Sequence, residues 1–192
     1  MSKSRRAASS FVGVQLHTNR TPTGRASTVA VRRAAGYIAY GRQQGAEAQQ
    51  RGQWLGADGQ VYSHEAVLDW AKEWVRERRY TVHVILSVGQ AQLSGDDYRR
   101  ALAVDETISG EYRLMVHRDS RYSHAHALLF WDNRLEKKRF LQWQAEVQAT
   151  LSERETAQLM SEQMMSEELA LDQTAPATTE KRARRLDWGL EI

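Results

Sequence analysis

The chain has 192 residues, 27 Lys and Arg against 24 Asp and Glu for a formal net charge of +3, and no cysteine. That length suits one domain of ordinary size with room for an arm or tail, and the lack of cysteine excludes disulfides, zinc–thiolate sites and thiol nucleophiles, so any metal must be held by His, Asp or Glu. No apolar run is long enough to span a bilayer, and the start MSKSRRAASS lacks the apolar middle of a secretory signal, which predicts a cytoplasmic chain with no membrane partner.

Charge is unevenly placed. Lys3, Arg5, Arg6, Arg20, Arg25, Arg32, Arg33 and Arg42 all precede the first acidic residue, Glu47. Such a segment either attracts a polyanion, nucleic acid above all, or serves as a solubilising arm. Residues 1 to 10 read as a flexible basic arm. Residues 151 to 192 read as a helical, partly disordered extension, mostly acidic before Lys181, Arg182, Arg184 and Arg185, and suited to an accessory or oligomer contact.

Between them, residues 11 to 17 (FVGVQLH) are short, apolar and partly β-branched, a strand pattern. After the Thr-Pro-Thr-Gly punctuation at 21 to 24, Ser27 or Thr28 caps a helix with Val31, Ala34, Ala35 and Ile38 at helical spacing. Gly45, Gly52, Gly56 and Gly59 among polar residues predict a loop or mobile flap over 45 to 62. A second helix starts at Ser63 with Val67, Trp70, Ala71, Trp74 and Val75 as its apolar stripe. Residues 80 to 88 (YTVHVILSV) alternate as a strand, and Ser94 to Asp97 has capping-box spacing for a third helix running to Gly110. Residues 112 to 117 (YRLMVH) and 124 to 131 (HAHALLFW) flank the polar loop RDSRYS as a β-hairpin. Asp132 or Asn133 then caps a long helix with Leu135, Phe140, Trp143, Val147 and Leu151. This order implies an α+β fold, an antiparallel sheet packed against helices with a long C-terminal helix.

Successive strand side chains alternate faces, so His124 and His126 emerge together. His117, at the end of the preceding strand, lies opposite or diagonal to them across the hairpin. Three imidazoles sharing one divalent ion leave positions open for water or a phosphate oxygen, the layout of a catalytic site. Imidazole ligands favour later transition metals, so Zn²⁺ or Ni²⁺ would bind tightly while Mg²⁺ or Mn²⁺ works in catalysis. Asp119 stands where it would either accept the outer N–H of a ligand imidazole or serve as a turn residue.

The run VHRDSRYSHAHALLF, residues 116 to 130, resembles the three-histidine motif of conjugative relaxases in the HUH endonuclease superfamily, with Ala125 between the paired histidines. AAGYIAYGRQ, residues 34 to 43, resembles the family's first motif, with Tyr37 as its tyrosine. The resemblance covers about residues 10 to 145. It implies a ferredoxin-like sandwich over 11 to 150, carrying metal-dependent nicking and strand transfer on single-stranded DNA through Tyr37, which would form a 5′-phosphotyrosyl enzyme in plasmid or mobile-element mobilisation. His117, His124 and His126 would hold the ion, Asp119 would support it, and Arg32 and Arg33 would position phosphates. Trp54 or Tyr62 would stack bases or pack. Ser87 is the candidate for the family's middle motif. Tyr40, one turn after Tyr37, is the rival nucleophile. The alternatives are a non-catalytic DNA-binding protein, a rolling-circle replication initiator, or an unrelated metal hydrolase.

Overall fold

The computed structural model describes residues 10 to 42, 48 to 119 and 122 to 174. The basic arm before Ser10 and the basic cluster at 181 to 185 therefore lie outside the described residues. In chain order the elements are β1 (Phe11–Thr18), α1 (Val29–Tyr40), β2 (Trp54–Gly56), β3 (Val61–Tyr62), α2 (His64–Glu77), β4 (Tyr80–Ser87), α3 (Gly95–Leu102), α4 (Glu106–Ser109), β5 (Tyr112–His117), β6 (His124–Trp131) and α5 (Lys137–Thr174). Contacts divide the chain into a unit ending at Leu159, which carries the whole sheet, and a second beginning at Met160. In that second unit the helical residues Met160, Met164, Met165 and Leu169 are exposed. No described helix is long and apolar enough to cross a membrane.

The fold is α+β, with a six-stranded sheet in the order β1-β4-β6-β5-β2-β3 and every pairing antiparallel. Alternation along the strands gives it two distinct faces. One face carries Val12, Val82, Val84, Leu86, Leu114, Ala125, Ala127 and Leu129, packed against Tyr98, Ala101 and Leu102 of α3 and Trp143, Val147 and Leu151 of α5. The other carries Trp54, Met115, Leu128 and Phe130, packed against Val31, Ala35 and Ile38 of α1 and Val67, Ala71 and Val75 of α2. Helices thus cover both faces of the sheet.

Local chemistry explains most boundaries. The Ser63 side chain accepts from the Ala66 amide at the start of α2, and Ser94 and Asp97 form the reciprocal capping box that opens α3. At α1, by contrast, Thr28 occupies the cap without a side-chain hydrogen bond, so burial of the apolar stripe carries that helix.

Three expectations are corrected. Residues 45 to 62 are not wholly a loop, because β2 and β3 form a hairpin on the sheet edge, turning at Asp58-Gly59 with Gly59 at φ 81°. That positive φ suits glycine, and Asp58 Oδ1 accepts the Gln60 amide at 3.0 Å to close the turn. The third helix does not run unbroken to Gly110, because Asp105 restarts it as α4 by accepting from the Thr107 amide. Finally, Asp132 does not cap α5, which begins at Lys137. Its carboxylate is ion-paired with Arg78 instead.

Candidate metal centre

The α1/α2 face changes character along β5 and β6. Phe130 and Leu128 lie in the apolar cluster beneath α1 and α2, and the next residues of β6 on that face are His126 and His124. On β5, Met115 is followed on the same face by His117. The register sets His117 directly opposite His124, and His126 opposite Met115, which makes His117 and His126 diagonal neighbours. The hairpin end is fixed by Ser123, whose hydroxyl accepts from the Leu93 amide at 2.8 Å and whose carbonyl accepts from the Tyr98 hydroxyl at 2.8 Å.

Ring centroids are 5.1 Å apart for His117 and His124, 4.8 Å for His117 and His126, and 5.4 Å for His124 and His126. One nitrogen from each of the three lies within 4.8 Å of the others, so the cluster could hold a metal ion. Two nitrogens each about 2.1 Å from one ion, at tetrahedral to octahedral angles, stand about 3.0–3.4 Å apart. His117 Nδ1 and His124 Nε2 are 3.3 Å apart, already at that spacing.

The ligand nitrogens are selected by what their rings do on the other side. His117 Nε2 lies 2.8 Å from the carbonyl oxygen of Ile38 in α1. A carbonyl only accepts, so His117 Nε2 carries the hydrogen and the neutral ring turns a bare Nδ1 toward His124. His126 Nδ1 is 2.8 Å from Nε2 of His83 on β4. Burial pushes His117 and His83 down to about 4, with Arg51 and then His124 adding to the effect at His117 and His17 at His83. Burial, followed by the His83, His117 and His124 rings, pushes His126 down to about 3. His117 and His126 are therefore neutral at pH 7 and have lone pairs to offer a cation, and His83 beside them is neutral too.

The remaining predicted residues are unevenly distributed about this centre. Tyr37 of α1 is half-exposed, with its ring edge-on to His126 at a centroid distance of 6.2 Å. It lines a cleft of about 450 Å³ with Gln15, His17, Arg33 and His83. The Tyr40 ring packs instead edge-on against His64 of α2 at 5.1 Å, so the two tyrosines face different neighbours. Arg32 and Arg33 are both exposed, and Arg33 is the one that lines the cleft. Ser87 is opposite His124 on β4.

Asp119 does not take the outer hydrogen of His117, which goes to Ile38. Its Oδ2 accepts from Arg51 Nε at 2.6 Å. Burial opposes ionisation of Asp119, but the hydrogen bond and charge of Arg51 outweigh it and hold the carboxyl below its usual range. Trp54 is completely buried and its Nε1 donates to His64 Nδ1 at 3.3 Å, so it is a packing residue and not a stacking platform. Tyr62 is held by Asp58 at 2.5 Å and lies under the Arg113 guanidinium.

Sequence reasoning passed over His83. It was visible only as one position of an alternating strand, and its neighbour His126 lies 43 residues away. No protein family, curated protein or solved structure matches the chain.

Proposed function

We propose that this protein is a metal-dependent endonuclease of single-stranded DNA that nicks and transfers strands through Tyr37, in the manner of the relaxases its motifs resemble. The observation that carries the reading is the Tyr37 ring, which is edge-on to His126, one of three histidines able to hold one ion, and which lines a cleft together with Arg33. A tyrosine and an arginine that line one cleft thus adjoin a histidine cluster that could hold an ion.

In this mechanism the Tyr37 oxygen forms a bond to the scissile phosphorus as the bond from phosphorus to the 3′ oxygen breaks. The product is a 5′-phosphotyrosine and a free 3′-hydroxyl, the phenol losing one proton and the 3′ oxygen gaining one. A divalent ion, Mg²⁺ or Mn²⁺ in catalysis, would supply Lewis-acid stabilisation of the charge on a non-bridging phosphate oxygen. His117, His124 and His126 would hold it, with His117 oriented by Ile38 and His126 by His83. Arg33 would attract the phosphate backbone. Attack by the freed 3′-hydroxyl reverses the step and reseals the strand.

The test is a denaturing gel of protein incubated with Mn²⁺ and single-stranded oligonucleotides from the DNA flanking its own gene. The expected result is a protein band shifted by covalent DNA. DNA binding without cleavage would instead make this a non-catalytic binding protein, and cleavage without an adduct would make it a hydrolase.

A further inference from the structure

The hydrogen bond that ties His126 to β4 has a consequence for metal binding that rests on the three-histidine reading above. His83 is 3% and His126 5% exposed, their rings are 5.0 Å apart, and His83 Nε2 meets His126 Nδ1 at 2.8 Å. Two neutral imidazoles can share such a bond in only two ways, and they are not equivalent for the ion. If His83 Nε2–H donates, His126 Nδ1 is the acceptor and the hydrogen of His126 sits on Nε2, blocking that atom. If His126 Nδ1–H donates, Nε2 of His126 is bare and free to ligate.

We propose that His83 is a positioning residue for the metal centre, accepting the Nδ1–H of His126 and so presenting His126 Nε2 to the ion. This is the service that the Ile38 carbonyl performs for His117, with the ring nitrogens reversed. Two ligands from adjacent strands are therefore locked by two different outer acceptors, one a backbone group of α1 and the other a side chain of β4. Asp119 takes no part in either bond, since its carboxylate is engaged by Arg51. The acceptor of His126 is thus neutral. It orients the ring without adding the negative charge that an aspartate in its place would bring.

The experiment compares wild type with His83→Leu and His83→Gln, titrating each with Co²⁺ and following its visible ligand-field absorption. Leucine suits an apolar buried position and has no acceptor, while glutamine carries a carbonyl oxygen near the place of His83 Nε2. His83→Leu should lose about 10–100-fold in Co²⁺ affinity, the range for removing an outer partner of a ligand histidine, and His83→Gln should recover most of it. Nitrogen-15 NMR of the metal-free wild type should find the His126 hydrogen on Nδ1. Unfolding curves identify any variant that fails to fold, and in that event the NMR result alone decides. Equal Co²⁺ affinity in wild type and a folded His83→Leu, or a His126 hydrogen on Nε2, overturns the role given to His83. A folded wild type that binds no Co²⁺ overturns the metal reading and this proposal together.

Discussion

The two faces of the central strands are built from the same backbone and obey different rules. On β6 the face toward α3 and α5 reads Ala125, Ala127, Leu129 and Trp131, every one buried among apolar neighbours. The face toward α1 and α2 reads His124, His126, Leu128 and Phe130, apolar at one end and imidazole at the other. Burying a polar ring without a partner costs free energy that an alanine or leucine there would not. The cost is offset at His117 and His126 by hydrogen bonds to Ile38 and His83, whereas on the opposite face of β6 the one side-chain polar group is the Trp131 indole N–H, which donates to the Ile108 carbonyl at 2.9 Å. A face that only packs can be wholly apolar. A face that also presents lone pairs must bring its own acceptors.

The sharpest way to test this division is to change residues on each side. Tyr37→Phe should abolish the covalent DNA adduct, with Co²⁺ affinity within about twofold of wild type, while Tyr40→Phe keeps the adduct because its ring faces His64. Peptide mapping that finds the nucleotide on Tyr40 would reverse the assignment. His126→Ala should weaken Co²⁺ binding by more than the roughly 100-fold expected for losing an outer partner, measured by the same titration. On the other face, Leu129→Ala should cost about 2–5 kcal/mol in urea unfolding as a buried leucine truncation and leave Co²⁺ affinity in the folded protein unchanged. If Leu129→Ala alters metal affinity as strongly as His126→Ala does, the two faces are not separate in function.

Much of this arrangement was legible in the sequence, and the failures share a cause. Strand β6, strand β5 and the capping box at Ser94 were readable because each is a local pattern, a run of alternation or a pair three residues apart. The pairing of His117 with His124 and His126 was readable for the same reason, since a hairpin brings near residues together. His83 was not. Its place beside His126 depends on β4 pairing with β6 with Ile85 opposite His126, and register between strands so far apart in sequence leaves no local trace. The β2–β3 hairpin was missed because strands of three and two residues fall below any periodicity window, although Asp58-Gly59 is a hairpin turn signal. Asp132 and Asp119 were given roles from chain neighbours, and both were claimed by distant arginines, Arg78 and Arg51.

Acid separates the faces in a graded way. His83, His117 and His126 have folded values of about 4, 4 and 3 against an ordinary 6.5. The unfolded chain therefore binds protons at these rings from about pH 6.5 downward, while the folded chain does not until about pH 4. Stability that is complete above pH 6.5 should fall as pH drops through that window, by up to about 1.4 kcal/mol per pH unit for each histidine. Urea unfolding at pH 7.0, 5.5 and 4.5 checks it, with His83→Leu expected to show a shallower slope. A flat profile would mean that the rings are not held neutral.

The smallest effect is expected at Asp119, and it tests how the imidazole face is supported. Adjacency to His117 made this carboxylate a natural partner for a ligand ring, and an aspartate in that role would matter to metal affinity by an order of magnitude or more. The outer hydrogen of His117, however, already belongs to the Ile38 carbonyl at 2.8 Å, a backbone group that substitution at 119 leaves in place. What Asp119 holds is Arg51, with side chains 46% and 22% exposed respectively, and an ion pair so open to solvent contributes no more than about 1 kcal/mol. Asp119→Ala should therefore shift urea unfolding by less than about 1 kcal/mol and Co²⁺ affinity by less than about threefold, far short of the loss expected from removing a true outer partner. It releases the Arg51 guanidinium beside His117, so the residual effect should weaken cation binding and fade with added salt, because an unscreened positive charge near the centre repels the ion. A tenfold or greater loss of Co²⁺ affinity that persists at high salt would show that Asp119, and not the Ile38 carbonyl, orients His117.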